Sequence, residues 1–160
     1  MQFLNYFLAS LASFFGLAIG ISLVRIAPEE QKPLGKYFVK LRKLLIMLIF
    51  VFLGFYYFKS PFYLSVLVAC FVFMLFIGYK AKGVFIRIMM SYQIFGILFF
   101  LSSRNKNLFV LESSLMLLYG LPAASLICNK KNHYKVISYN SGFIIVANLL
   151  YLVTTSRFLF

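Results

Sequence analysis

Acidic residues are scarce in this sequence: its 160 residues include three glutamates, no aspartate and one histidine. Hydrolytic and redox enzymes take most of their acids, bases and metal ligands from these residue types. No glycine-rich phosphate loop, Ser-His-Asp set or metal-ligand spacing is present either. We therefore expect a protein that is not an enzyme and holds no cofactor.

Tryptophan is absent, and cysteine occurs twice. Without tryptophan, tyrosine must supply any aromatic belt at the two membrane interfaces. Cys70 falls inside an apolar run and Cys128 beside a basic loop, so the two side chains should lie at different depths. A disulfide requires Cα atoms within about 7 Å of each other. We expect two reduced thiols.

Apolar residues make up 63% of the chain, and its mean hydropathy is +0.95. A soluble domain is typically about 45–50% apolar, and a small domain cannot bury the excess in one core. The composition therefore predicts an all-α, polytopic membrane helix bundle in a single domain. The apolar runs are long enough for about six transmembrane helices, at residues 3–27, 38–58, 61–79, 84–102, 108–128 and 136–157.

Basic residues give the chain a net charge of +13, but their clusters alternate with apolar runs and do not indicate nucleic acid as a partner. Twelve of the sixteen lie at the first, third and fifth predicted loops, and four lie at the opposite ends of the helices. The positive-inside rule places the twelve in the cytoplasm and both termini outside the cell. We expect the inner cluster to contact anionic lipid headgroups.

Three small residues, Ala12, Gly16 and Gly20, follow each other at four-residue spacing in the first helix. Such a face allows another helix to approach closely. It is a candidate docking face for a partner protein or a second copy. The alternative, which we favour, is packing against another helix of the same chain.

The first loop is the most distinctive stretch of the sequence. Proline at position 28 cannot continue the first helix internally, and Pro33 with Gly35 is expected to delay the second helix. The loop is either a headgroup-contacting turn or a binding loop. Its candidate functional residues are Arg25, Pro28, Glu29, Glu30, Gly35 and Lys36.

Residues 25–38, with the motifs Arg-Ile-Ala-Pro-Glu-Glu and Gly-Lys-Tyr-Phe, resemble a loop of archaeal multi-pass membrane proteins that have no assigned activity. The resemblance implies an archaeal plasma membrane as the location. It implies no catalytic residue.

Four polar residues are candidates for an intramembrane site: Gln93, Glu112, Asn148 and Arg157. Gln93 and Asn148 fall near the middle of predicted helices, where they either bond to each other or line a substrate path. Glu112 is either an ion or proton site, or a helix-start acid paired with Arg157 or Arg104. His133, in a basic loop without a second histidine, is predicted to be a solvated side chain.

Three functions are compatible with these features. The first is a non-enzymatic subunit or scaffold of a membrane assembly, with a protein partner in the bilayer. The second is a small transporter or substrate-binding membrane subunit with a polar path near Gln93 and Asn148. The third is an interfacial lipid-modifying enzyme that uses Glu29 and Glu30.

Overall fold

The computed structural model describes residues 2–81, 83–127 and 133–156. Its elements are α1 (Phe3–Ile26), a 3₁₀ turn (Pro28–Glu30), α2 (Gln31–Tyr57), α3 (Pro61–Lys80), α4 (Val84–Ser102), α5 (Lys106–Ile127), α6 (His133–Asn140) and α7 (Gly142–Ser156). No strand occurs in the described ranges, and the predicted all-α helix bundle is confirmed.

Five segments are long and apolar enough to cross a membrane: α1, α3, α4, α5, and the stretch Tyr134–Thr155 that covers most of α6 and α7. The chain is therefore a multi-pass membrane protein. The remaining long helix, α2, has Lys40, Arg42 and Lys43 in its first half and an uncharged run from Leu44 to Tyr57. Long basic side chains at such positions can extend toward the headgroups while their stems stay in apolar surroundings.

The helix ends follow from local chemistry. Proline follows α1 closely at position 28 and opens α3 at position 61, where its missing N–H is not needed. The Asn105 side-chain oxygen accepts hydrogen bonds from the backbone N–H groups of Asn107 (2.9 Å) and Leu108 (3.1 Å). Asn105 therefore caps the first turn of α5.

The second helix begins at Gln31, seven residues before the predicted start at residue 38. The prediction that Pro33 and Gly35 would delay this helix is wrong. Pro33 is the third residue of α2, within the first turn, where backbone N–H groups have no intrahelical partner. Gly35 costs only about 1 kcal/mol of helix propensity.

The last predicted helix is broken at Ser141 into α6 and α7. The break falls in the sequence Asn-Ser-Gly at residues 140–142, and helix kinks are common at glycine and serine pairs. The Asn140 side-chain amide donates to the Val136 carbonyl (2.7 Å), and Ser141 Oγ donates to the Ser138 carbonyl (2.7 Å). These side chains compete for the backbone groups of the last turn of α6.

The helices differ greatly in how much surface they bury. Half of the most apolar window of α4 is buried, against 17% of the corresponding window of α3. The α4 side chains of Phe95, Leu98 and Phe99 are fully enclosed in the centre of the bundle. Parallel helices α1 and α5 form the other part of the core, with Tyr6 beside Phe109 near one end. Helix α3 is thus a peripheral helix.

Candidate functional site

Gly16 and Gly20 of the candidate docking face pack against helix α5 of the same chain. A Cβ atom at Gly16 would overlap the backbone of Leu117 on α5, and one at Gly20 would lie 2.7 Å from the Ala124 Cβ. Ala12 is exposed and does not share this contact. Residues four apart rotate by about 40° around a helix, so Ala12 is turned away from the direction of Gly20.

The first loop is shorter than predicted, because α2 starts directly after the 3₁₀ turn. Of its candidate residues, Arg25, Pro28, Glu29 and Lys36 are exposed and Gly35 is half-buried, while the side chain of Glu30 lies outside the described part. An apolar cavity of about 270 Å³ adjoins the loop, and none of the charged candidates is among its described lining residues. The structure does not gather these residues into one site.

Glu112 is fully buried, about a turn and a half inside α5, and neither carboxylate oxygen has a hydrogen-bond partner among the described residues. The predicted pairing with Arg104 does not form: that guanidinium lies 4.8 Å from the ring centre of Tyr63. Arg157, the other predicted partner, is outside the described residues. Glu112 is deeper than a helix-start acid because α5 begins at Lys106.

The predicted hydrogen bond between Gln93 and Asn148 does not form. Asn148 Nδ2 donates to Ser10 Oγ on α1 (3.1 Å) and to the Ile144 carbonyl (2.8 Å), and its Oδ1 is buried without a partner. The Gln93 side chain instead packs against Gly142 at the junction of α6 and α7. The two amides face different helices because Asn148 is almost two turns beyond Gly142 on α7.

Only some of the tyrosines are placed where they could form the predicted aromatic belt at the membrane interfaces. Tyr37, Tyr79 and Tyr134 are exposed, as that belt requires. Tyr6 and Tyr57 are buried instead, and their hydroxyls donate to the carbonyls of Ala147 (3.1 Å) and Leu101 (2.6 Å). Buried tyrosines of this kind join helices to one another. Cys70 is a buried free thiol, while Cys128 and the side chain of His133 lie outside the described part.

A cavity of about 400 Å³ lies between α2, α3 and α4. Its polar wall consists of Arg42, Lys43, Arg87 and Ser91. The Nε and Nη1 atoms of Arg42 are buried without a hydrogen-bond partner among the residues that the structure describes. Arg87 Nε donates to the Ala81 carbonyl (3.0 Å), which holds this side chain at the turn between α3 and α4. We call this cavity the basic cavity.

Two buried hydroxyls lie on α4 and α5. The Tyr119 side chain on α5 is fully buried, and its hydroxyl has no hydrogen-bond partner among the described residues. Ser91 Oγ, in the wall of the basic cavity, donates to the Arg87 carbonyl (2.8 Å) and keeps its own lone pairs free to accept. The polar wall of the basic cavity therefore combines this hydroxyl with the Arg42 and Arg87 guanidinium groups.

Sequence reasoning missed the basic cavity because three helices contribute to it. Lys36, Lys40 and Lys43 lie on one stripe of α2, and Phe38 and Leu41 lie on its apolar side. Arg42 falls outside that lysine stripe and nearer the apolar side, which was the available signal. The residues of α3 and α4 that share the cavity with Arg42 depend on how the helices pack.

The outer side of α3 carries a shallow and open apolar groove, and all of its described lining residues belong to this one helix. Two small residues, Ser65 and Ala69, lie one turn apart along it, and Val68, Val72 and Phe76 flank them. The flanking side chains are about half exposed within the chain. We call this surface the α3 groove.

Comparison with protein-family models, with curated proteins and with solved structures found no match to this chain.

Proposed function

We propose that the chain is a non-enzymatic subunit of a membrane assembly, and that α3 packs against a transmembrane helix of a partner protein. The observation that carries this proposal is the uneven burial of the bundle. Helix α3 contributes little to the core of its own chain, whereas α1, α4 and α5 are packed closely. A helix left at the periphery is available for contacts with another protein.

The shape of the α3 groove supports the proposal. Small residues one turn apart allow a second helix backbone to approach, as at Ser65 and Ala69. The flanking valines and Phe76 would pack around such a helix. No charged side chain lines the groove among the described residues. The expected partner is therefore an apolar transmembrane helix.

The proposed orientation has six crossings, with both termini outside the cell membrane. Contacts at the ends of the helices support a crossing by α2. The Tyr57 hydroxyl, at the end of α2, donates to the Leu101 carbonyl at the end of α4, and Asn105 Nδ2 donates to the Tyr56 hydroxyl (2.8 Å). At the other end, Arg42 meets Arg87 of α4 at the basic cavity. From Arg42 to Tyr57, α2 therefore covers the same span of the bundle as α4 does from Arg87 to Leu101.

The two alternative functions have less support. A polar path near Gln93 and Asn148 would need these amides to share a cavity, and neither lines any of the cavities described above. A lipid-modifying site at Glu29 and Glu30 would need enclosing side chains, but Glu29 is exposed. The proposed subunit role does not require either arrangement.

Photo-crosslinking in the native membrane tests the proposal. A benzophenone amino acid replaces Val72 in the α3 groove, and the matched control places it at Phe15, an exposed position on α1. The expected result is a discrete protein adduct from position 72 and lipid adducts from position 15. An adduct with twice the 18.5 kDa mass of the chain would show that the partner is a second copy of this chain.

Matched alanine-to-tryptophan variants provide the second test. Ala69→Trp fills the α3 groove, whereas Ala12→Trp adds the same side chain to an exposed site on α1. The complex isolated in mild detergent should be lost with Ala69→Trp and retained with Ala12→Trp. Equal recovery of the complex from both variants, or adducts to lipid alone from position 72, would contradict the proposal.

A further inference from the structure

We infer that the basic cavity binds one anionic phospholipid, with its phosphate on Arg42 and Arg87 and an acyl chain between α2 and α3. The inference does not depend on which protein contacts α3. It depends on the proposed orientation only for the leaflet, since anionic lipids are concentrated on the cytoplasmic side.

The basic cavity carries an excess of positive charge. Arg42, Lys43 and Arg87 line it, and no carboxylate is among its described lining residues. Two nitrogen atoms of Arg42 are shielded from solvent and have no acceptor in the part of the chain that the structure describes. A buried guanidinium without a partner is costly, so the cavity favours an anion.

The donors of the basic cavity match a phosphate group. A guanidinium presents a planar fork of N–H donors that fits phosphate oxygens. Arg42 and Arg87 line the cavity from α2 and α4. A phosphate would thus receive hydrogen bonds from two helices. A carboxylate has fewer oxygens than a phosphate, so it can accept hydrogen bonds from fewer of these donors.

The apolar wall of the basic cavity favours the phosphate of a lipid over a soluble phosphate. The remaining wall of the basic cavity is apolar and includes Met47, Phe71 and Leu75. These three side chains are 63%, 39% and 59% exposed, so the cavity is open sideways on the surface that faces the lipid tails. A free phosphate would leave this wall without a partner. An acyl chain beside the phosphate would cover it.

Lipid titration of the purified full chain in mild detergent, followed by native mass spectrometry, tests the inference. The probes are phosphatidylglycerol, which is anionic, and phosphatidylcholine, which is zwitterionic. The charge variant is Arg42→Gln. Its control, Lys40→Gln, removes an exposed positive charge from the same helix at a position outside the cavity.

A second variant closes the cavity without altering any charge. Gly78 lines the basic cavity, and a Cβ atom there would have no neighbour within 4 Å. Gly78→Leu therefore occupies the cavity without a clash. The control is Gly54→Leu, a glycine on α2 with equally open space and no place in the basic cavity. The elution profile of each variant checks that it is folded.

The wild-type chain should retain one phosphatidylglycerol in preference to phosphatidylcholine. Loss of one charge-assisted contact should weaken this binding by about tenfold in Arg42→Gln. Gly78→Leu should abolish the preference, and both controls should keep wild-type binding. The inference is overturned if the wild type shows no preference, if all variants bind equally, or if inorganic phosphate alone binds the site as tightly as phosphatidylglycerol does.

Discussion

Gly16 on α1 and Gly120 on α5 bring two helix backbones into direct contact. A Cβ atom at Gly120 would lie 2.9 Å from the Gly16 Cα and still closer to other backbone atoms of α1. Backbone cannot move aside as a flexible side chain can. This pair fixes the distance between the two helices that form one side of the core.

Leucine in place of Gly16 or Gly120 should therefore destabilise the bundle severely. Overpacking a core typically costs about 1–3 kcal/mol, and the cost is higher where backbone must move. The measurement is the thermal unfolding midpoint in mild detergent. Gly54→Leu is the control, because its new side chain meets open space. Equal midpoints for Gly16→Leu and Gly54→Leu would show that the close contact does not exist.

At Glu112, in contrast, we expect a conservative substitution to leave the stability of the bundle equal or greater. Its carboxylate is enclosed without a hydrogen-bond partner, so a charge there would be unsupported. Glu112→Gln keeps the size of the side chain and removes its capacity for negative charge, and we expect equal or greater stability. Glu112→Lys should cost about 3 kcal/mol. Denaturation curves of the wild type and the two variants measure the three free energies of unfolding. A glutamine variant as unstable as the lysine variant would contradict the account.

The hydrogen bond between Asn148 and Ser10 predicts a specific energetic coupling. A double-mutant cycle with Asn148→Ala and Ser10→Ala should give about 0.6 kcal/mol, the average for hydrogen bonds between membrane helices. The parallel cycle with Asn148→Ala and Gln93→Ala should give no coupling, because these amides face different helices. Coupling of Asn148 to Gln93, with none to Ser10, would instead support the pairing of the two amides that was expected from the sequence.

The sequence was sufficient to predict the fold class and most of the helix positions. Helices α3 and α4 lie where the apolar runs at residues 61–79 and 84–102 predicted them. The proline rule failed at Pro33, because a proline is harmless in a first turn and the sequence did not reveal where that turn begins. The break at Ser141 was missed because the surrounding run is apolar enough to read as one span.

The candidate sites were less predictable, since they depend on which helix faces which. Depth along a helix could be read from the sequence, and Gln93 and Asn148 do lie near the middle of helices α4 and α7. The direction in which each amide points could not be read, and it decides that Asn148 bonds to Ser10. The same limit applies to Arg42, which shares the basic cavity with Gly78 of α3 and Ser91 of α4.

Accessibility of single cysteines in intact cells tests the central claim most directly. With Cys70 and Cys128 replaced, new cysteines are placed at the exposed positions Lys59 and Asn107, and at Lys36 and Lys135 toward the opposite end of the bundle. A membrane-impermeant thiol reagent should label positions 59 and 107 in intact cells and positions 36 and 135 only after the membrane is permeabilised. Labelling of all four positions in intact cells, or of 36 and 135 alone, would contradict a six-crossing bundle with its basic end in the cytoplasm.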